Sequence, residues 1–305
     1  MDYDAIIVGG GPAGLAAAAQ LAQAPCRVLL LDRESFGGQV MNVEWIDDYP
    51  RPGGRVPGPK LAGELVEEAG KRGVEMELGE VVEVESYSGC KSVTCADGKA
   101  YTASVVIVAG GLRPKKLGVP GEDRLQGKGV IHCAFCDAGL YADQVVAVCG
   151  GGDAGIIEAA YLAKHASKVY VIEAQSRLSA VPELQARAKA NSKLEIRCGQ
   201  KVVEILGDEG VTGVQVEELA TGRKQRLDVY GVLARVGFEP ATDYLESLLP
   251  VDDRGRIAVN GELESGMGGV FAAGDIRSGS PRGAAAAVSD GKSAAASAQR
   301  FLQTR

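Results

Sequence analysis

The sequence predicts an α/β chain with parallel central sheets, on three observations. First, its strands read as continuous apolar runs: Ala5-Ile6-Ile7-Val8, Val28-Leu29-Leu30-Leu31 after Arg27, Val145-Val146-Ala147-Val148, and Val169-Tyr170-Val171-Ile172 after Lys168. Runs of that kind suit strands covered on both faces. Second, helical stretches separate them, from about Pro12 to Ala24 and from Gly155 through about Lys164. Third, the order strand, glycine turn, helix, strand occurs twice, with Gly9–Gly14 after the first run and Gly150–Gly155 after the third. At 305 residues the chain has room for two domains of roughly 150 residues each.

Each copy is followed by a strand-rich stretch. The first runs from about Glu75 to Tyr101, with Asp97-Gly98 as a hairpin turn. The second runs from about Leu194 to Val232, with its turn near Thr221-Gly222. The loop from Asp47 to Lys60, containing Pro50-Arg51-Pro52-Gly53-Gly54, is expected to be an ordered excursion of the first domain rather than a linker.

The two glycine turns carry the chemistry. Gly9, Gly11 and Gly14 follow a strand and open a helix, and Asp32 ends the next strand 21 residues after Gly11. That is the context a dinucleotide fingerprint requires, with the acid about 20 residues on. The first glycine allows the tight turn, the second lets backbone approach a pyrophosphate, and the third lets helix and strand pack closely. The helix N-terminus offers free N–H groups and a positive dipole end, and Asp32 accepts from ribose hydroxyls. Gly150, Gly152 and Gly155 repeat the pattern, with Glu173 again 21 residues after Gly152. Two fingerprints imply two dinucleotides, a flavin and a nicotinamide. The fold class is therefore α/β with two Rossmann-like FAD/NAD(P)-binding domains, three-layer ββα, with parallel central sheets and antiparallel β-ribbon insertions.

Glu173 also bears on the nicotinamide. A carboxylate repels a 2′-phosphate and accepts from a free 2′-OH, so NADH is favoured over NADPH. In the alternative, Glu173 points to solvent and Arg177 swings in to hold a phosphate.

Cys133-Ala134-Phe135-Cys136 is a CxxC, which in such a chain is redox-active or half of a zinc site. Zinc needs four ligands, and the sequence has no second CxxC and only His132 and His165; no metal is expected. Two buried structural cysteines remain a third reading, disfavoured by the position between two dinucleotide units. A CxxC closes a small ring and exchanges through a mixed disulfide. Asp137 can move the proton of each thiolate step or act as a cap or turn residue. The other five cysteines, Cys26, Cys90, Cys95, Cys149 and Cys198, read as small, partly buried residues.

Lys and Arg number 33 against 40 Asp and Glu, a formal charge of −7. That argues against nucleic acid or an anionic membrane surface as the main partner. Met1-Asp2-Tyr3-Asp4 lacks the basic region of a secretory signal, and no apolar stretch reaches membrane-spanning length. The expected location is cytoplasmic.

Taken together, Gly9-Gly10-Gly11-Pro12-Ala13-Gly14, Gly37-Gly38-Gln39, Cys133-Ala134-Phe135-Cys136-Asp137, Gly150-Gly151-Gly152-Asp153-Ala154-Gly155 and Gly269-Val270-Phe271-Ala272-Ala273-Gly274-Asp275 resemble, in order and over essentially the whole chain, the low-molecular-weight thioredoxin reductase family. The resemblance implies a discontinuous FAD domain, 1–114 with 243–305, around an NAD(P)-binding domain, 115–242, that carries the CxxC. It implies FAD contacts at Gly9, Gly11, Pro12, Ala13, Gly14, Asp32, Arg33, Gly38, Gln39, Asp48, Ala109, Gly110, Gly274, Asp275, Arg282, Gly283 and Ala284. Nicotinamide contacts are implied at Gly150, Gly152, Asp153, Ala154, Gly155, Glu173 and Arg177. Cys136 is then the flavin-facing thiol, Cys133 the one that attacks the substrate disulfide, and Asp137 the acid–base group. The implied partner is thioredoxin or a similar small redox protein, the implied state a homodimer, and the implied cycle a rotation of the domains between two poses.

Three departures qualify this. Glu173-Ala174-Gln175 and Ser179 stand where NADPH-using members carry a His-Arg-Arg run and a later arginine, which is similar to the NADH-using flavoprotein subunit of alkyl hydroperoxide reductase. Arg282-Gly283 replaces Arg-Gln beside the flavin, and Ala109-Gly110-Gly111 replaces an alanine-threonine-glycine turn. Two other enzymatic readings stand beside the reductase. A dithiol oxidase tends to carry histidine after the second cysteine, where this chain has Asp137. A reductase fed by ferredoxin or another non-nicotinamide donor has no need of the second fingerprint. A non-catalytic flavin-binding protein has no need of the CxxC.

Overall fold

A computed structural model describes residues 1–52, 54–245 and 248–304. Gly53, in the predicted excursion, lies outside the described residues. The chain forms two compact units, Met1–Arg113 with Glu239–Arg305, and Pro114–Phe238.

The first unit opens with β1 (Tyr3–Val8), α1 (Pro12–Leu21) and β2 (Val28–Asp32). The helix ends three residues short of the expected Ala24, because Ala24 precedes Pro25 and is steered away from helical backbone. The excursion is tied by a bridge between Ile46 and Val56. It gives way to α2 (Gly58–Lys71) earlier than the expected Lys60, since Pro59 is tolerated in a first turn, where its missing N–H is not needed. Then follow β3 (Glu75–Leu78), β4 (Val81–Tyr87), β5 (Cys90–Cys95), β6 (Ala100–Val108) and β7 (Leu112–Pro114). Asp97-Gly98 does lie between β5 and β6, with Gly98 at φ +86.

The second unit contains β8 (Val130–Ile131), α3 (Ala134–Asp137), β9 (Val145–Cys149), α4 (Asp153–Leu162), β10 (Lys168–Glu173), α5 (Pro182–Ala190), β11 (Leu194–Cys198), β12 (Gln200–Leu206), β13 (Gly213–Glu218), β14 (Lys224–Leu227) and β15 (Gly231–Ala234). The hairpin at Thr221-Gly222 joins β13 to β14, which pair antiparallel. The chain returns through β16 (Phe238–Pro240), paired with β7 in a two-stranded ribbon. There Arg113 holds Glu239 at 3.0 Å and also pairs with Asp243. The first unit closes with β17 (Val270–Ala272) and α6 (Ala284–Gln303).

Both units have three layers. In the first, the sheet order is β3-β2-β1-β6-β5-β4, with β17 also on β6. β1, β2, β3, β6 and β17 run parallel, whereas β4 and β5 form an antiparallel meander on β6. Alternate residues sort by face. Ile7, Leu30, Val105 and Ile107 pack with α1, α2 and α6, while Ile6, Leu29, Leu31, Val106 and Val108 pack toward the meander. In the second unit the parallel order is β11-β10-β9-β15-β8, with β12-β13-β14 as a separate sheet. Val146, Val148, Val169 and Val171 face the helices; Ala147, Cys149 and Ile172 face the ribbon. Burial on both faces is why these strands carry no polar alternation. No described helix is long and apolar enough to cross a membrane.

Candidate active site: two glycine loops and a disulfide

In the first unit β1 runs into Gly9, whose φ is +110 and whose Cβ, if it had one, would overlap the Ala109 carbonyl. A side chain at Gly14 would overlap the Gly9 carbonyl oxygen. Both are therefore glycines for the sake of the fold. Gly11 differs: the nearest protein atom to a Cβ there is Gly38 Cα, at 3.8 Å, an ordinary contact. Nothing in the chain forbids a side chain at Gly11, and its bareness leaves room for a ligand. Gly11 is also the N-cap of α1 and supplies no side-chain cap, which leaves first-turn N–H groups for an anion. These features fit the pyrophosphate of a dinucleotide.

The remaining predicted residues of this unit gather round the loop. Asp32 Oδ2 accepts from Gly10 N–H at 2.8 Å, and Oδ1 accepts from Glu34 and Ser35 N–H at 3.0 and 3.1 Å. Arg33 is exposed and paired with Glu34, and Gln39 is exposed. A side chain at Gly38, φ +63, would come within 2.8 Å of Gly11 Cα. Gly110 sits beside Ile276 and Tyr244. Gly274, φ +79, lies against Ala13, and its N–H donates to Asp290 at 3.1 Å. Burial pushes the Asp275 carboxyl up; a hydrogen bond from Ser280, and more weakly the charge of Arg282, pull it back.

Asp48 makes the contact the sequence did not suggest. Its Oδ2 accepts from Ala285 N–H at 3.3 Å, in the first turn of α6, beside Ala284. It lies so close to Gly283 that a Cβ there would overlap it. Gly283 has φ +102, a conformation L-residues rarely adopt. The glycine in the Arg282-Gly283 departure is thus required by the local backbone.

In the second unit the same logic recurs. A Cβ at Gly150, φ +124, would overlap the Arg235 carbonyl, and one at Gly155 the Gly150 carbonyl, but Gly152 has only Ser179 Oγ at 3.5 Å. Gly152 caps α4 without a side-chain hydrogen bond. Glu173 is buried, at 8% exposure. Its Oε2 accepts from Gly151 N–H at 2.6 Å and its Oε1 from Gln175 N–H at 2.8 Å. Asp153 accepts from Val181 N–H at 2.8 Å, Ala154 lies beside it in the first turn, and Arg177 is exposed.

Cys133 and Cys136 form a disulfide, with Cα atoms 5.3 Å apart. Cys133 is the N-cap of α3 and is buried; its Sγ accepts from Cys136 N–H at 3.0 Å. Cys136 is exposed and Asp137 half-buried. Cys149 is pushed up to about 12 by burial, and burial also raises Cys26, Cys95 and Cys198. Those thiols stay protonated and poorly nucleophilic at neutral pH. Among the described residues no cluster of three or more His, Cys, Asp or Glu could hold a metal ion.

Sequence reasoning missed the supports. Asp290 takes Gly274 N–H and both ends of the Arg277 guanidinium, at 2.6 and 2.8 Å. Glu158 and Arg235 form a buried pair next to the disulfide segment. The one available signal for the pair was a charge on the apolar stretch of α4 and another just after β15.

This fold with these sites defines a flavin- and nicotinamide-dependent disulfide oxidoreductase. Residues 3–291 match the pyridine nucleotide-disulphide oxidoreductase family. The thioredoxin reductase of Bacillus subtilis is 37% identical over 302 residues, covering 99% of this chain and 95% of its own length. The crystal structure of Lactococcus lactis thioredoxin reductase is 31% identical, with a TM-score of 0.88 over 99% of this chain and 100% of that one. A ferredoxin-flavin thioredoxin reductase from Clostridium acetobutylicum is 30% identical, with a TM-score of 0.55 over 99% of each chain. The chain belongs to the pyridine nucleotide-disulphide oxidoreductase family, among its low-molecular-weight thioredoxin reductases.

Proposed function

We propose that the protein reduces the disulfide of thioredoxin or a similar small redox protein, with NADH as the preferred electron source. The observation that carries this reading is the Cys133–Cys136 disulfide lying in the unit that also holds the second glycine loop. The thioredoxin substrate is taken from the names of the relatives. FAD, when bound at the Gly9–Gly14 loop with Gly274 and Asp275, supplies a two-electron relay between nicotinamide and disulfide.

The chain's own residues do the rest. In the reduced state the Cys136 N–H favours a thiolate on Cys133. That thiolate attacks one sulfur of the partner's disulfide, forming a mixed disulfide and releasing the other partner sulfur. Cys136 then attacks Cys133 Sγ, re-forming the internal bond and releasing the second partner sulfur. Asp137 moves the protons, so that the partner leaves with two thiols. Cys133 is buried within its unit, so its attack requires the α3 segment to turn outward.

The preference for NADH is supported by the way Glu173 is held. Both its oxygens accept backbone N–H groups, which fixes a carboxylate at the end of β10. A 2′-phosphate meets that charge, whereas a 2′-OH donates to it. The proposal includes a homodimer in the cytoplasm, which sedimentation and fractionation test.

Anaerobic titration decides the donor. NADH is expected to bleach the oxidised flavin band rapidly and NADPH slowly. Equal bleaching by NADPH overturns the preference and assigns the 2′-phosphate to Arg177. Cys136→Ser is expected to keep FAD and lose turnover; steady-state turnover in that variant sinks the dithiol reading. A second reading, electrons from ferredoxin, is favoured by the similarity to the ferredoxin-flavin enzyme. It takes over if neither nucleotide bleaches the flavin.

A further inference from the structure

The second unit buries two charges that neither glycine loop uses. Glu158, on α4, is 7% exposed, and Arg235, just after β15, is 9% exposed. Arg235 Nε donates to Glu158 Oε1 at 2.6 Å, Nη1 to Ala234 O at 2.7 Å, and Nη2 to His132 O at 2.9 Å. His132 is the residue before Cys133. The other carboxylate oxygen, Glu158 Oε2, is buried with no hydrogen-bond partner. Burial pushes the Glu158 carboxyl up; Arg235 and, more weakly, the backbone of Ala134 pull it down. The pair thus brackets Cys133, with the cation on the residue before it and the anion toward the residue after it. The Arg235 backbone also accounts for Gly150, because its carbonyl fills the place of a side chain there.

A buried pair with an unsatisfied oxygen is a poor device for stability alone, since desolvation offsets most of the attraction. We propose that Glu158 and Arg235 are positioning residues of the disulfide: they hold the His132–Ala134 segment and, through their balance of charge, set the reduction equilibrium of Cys133–Cys136. This rests on the dithiol reading above. Oxidised, the disulfide is neutral; reduced, it carries thiolate. Arg235 therefore favours the reduced state and Glu158 opposes it.

The test is equilibration of the full-length, FAD-loaded protein with glutathione redox buffer, followed by acid quench, alkylation and peptide mass analysis. In that exchange the Cys133–Cys136 bond breaks and a bond between two glutathione sulfurs forms. Two electrons and one proton pass from two glutathione thiols to the two cysteines, which are left as one thiol and one thiolate, and the second proton goes to solvent. Arg235→Met is expected to make the disulfide harder to reduce by about tenfold, or about 30 mV. Glu158→Gln is expected to make it easier by a similar factor. Arg235→Lys, which keeps the charge, is expected to lie near the parent. A purely structural pair moves both single variants the same way or not at all, and that result overturns the proposal. If Arg235→Met does not fold, Glu158→Gln and Arg235→Lys still decide the sign. A parent protein whose pair does not exchange with glutathione overturns the dithiol reading itself.

Discussion

The loops at Gly9–Gly14 and Gly150–Gly155 share one construction and differ in what closes on them. In each, the first and third glycines are forced by backbone oxygens, the second meets protein only at ordinary contact distance, and an acid at the end of the next strand takes the N–H of the glycine between. Round the first loop Gly38 lies on Gly11, and segments far apart in sequence also press inward: Gly274 on Ala13, and Gly291 of α6 against the Ala13 carbonyl. Round the second, the support is the nearby stretch from Ser179 to Val181, which bonds to Gly151 and Asp153, with Arg235 behind Gly150. The acids differ accordingly, Asp32 half-buried and Glu173 buried. A loop clasped by distant segments suits a resident group, and one braced locally suits a nucleotide that exchanges.

Substitutions can break this comparison. The largest effect is expected at Gly14→Ala and Gly155→Ala. Each drives a methyl into a backbone carbonyl, and the cost exceeds about 5 kcal/mol, enough to leave no folded protein by circular dichroism. Arg235→Met strands a buried carboxylate and is expected to cost about 3–5 kcal/mol in urea unfolding. Gly283→Ala places an L-residue at φ +102, at about 1–3 kcal/mol. Gly11→Ala and Gly152→Ala are expected to fold nearly as the parent. The first should purify short of FAD. The second should keep FAD and lose at least tenfold in nicotinamide affinity, about 1.4 kcal/mol. If Gly11→Ala unfolds like Gly14→Ala, the division between fold glycines and ligand glycines is wrong.

The last effect is a slope with pH. The unfolded Cys149 thiol ionises near 9.0, while the folded one holds its proton to about 12. Its contribution to stability is complete below pH 9 and is lost as pH rises from 9 toward 12, by about 1.4 kcal/mol per pH unit. Cys149→Ala is expected to flatten that part of the alkaline limb in urea melts at stepped pH.

How much was legible varies with range. Both glycine turns, their acids, the flanking strands and both hairpin turns could be read because each depends on neighbours in sequence. Helix ends were read less well: α1 stops at Leu21 under the influence of Pro25, and α2 starts at Gly58. That Gly283 stands in place of a glutamine could be read, but not its backbone conformation or the nearness of Asp48. Glu158 and Arg235 stand 77 residues apart, and no local pattern joins them.

The sequence by itself determined the class of fold, the two nucleotide loops and the CxxC, because apolar periodicity and glycine geometry act over a few residues. Only the tertiary structure decided which glycines the chain itself requires and which leave room for a side chain or a ligand. It alone also decided that Glu173 is held from both sides, and that a buried ion pair brackets Cys133. Those facts depend on atoms that meet only when strands and helices pack, and packing brings together residues that sequence keeps far apart.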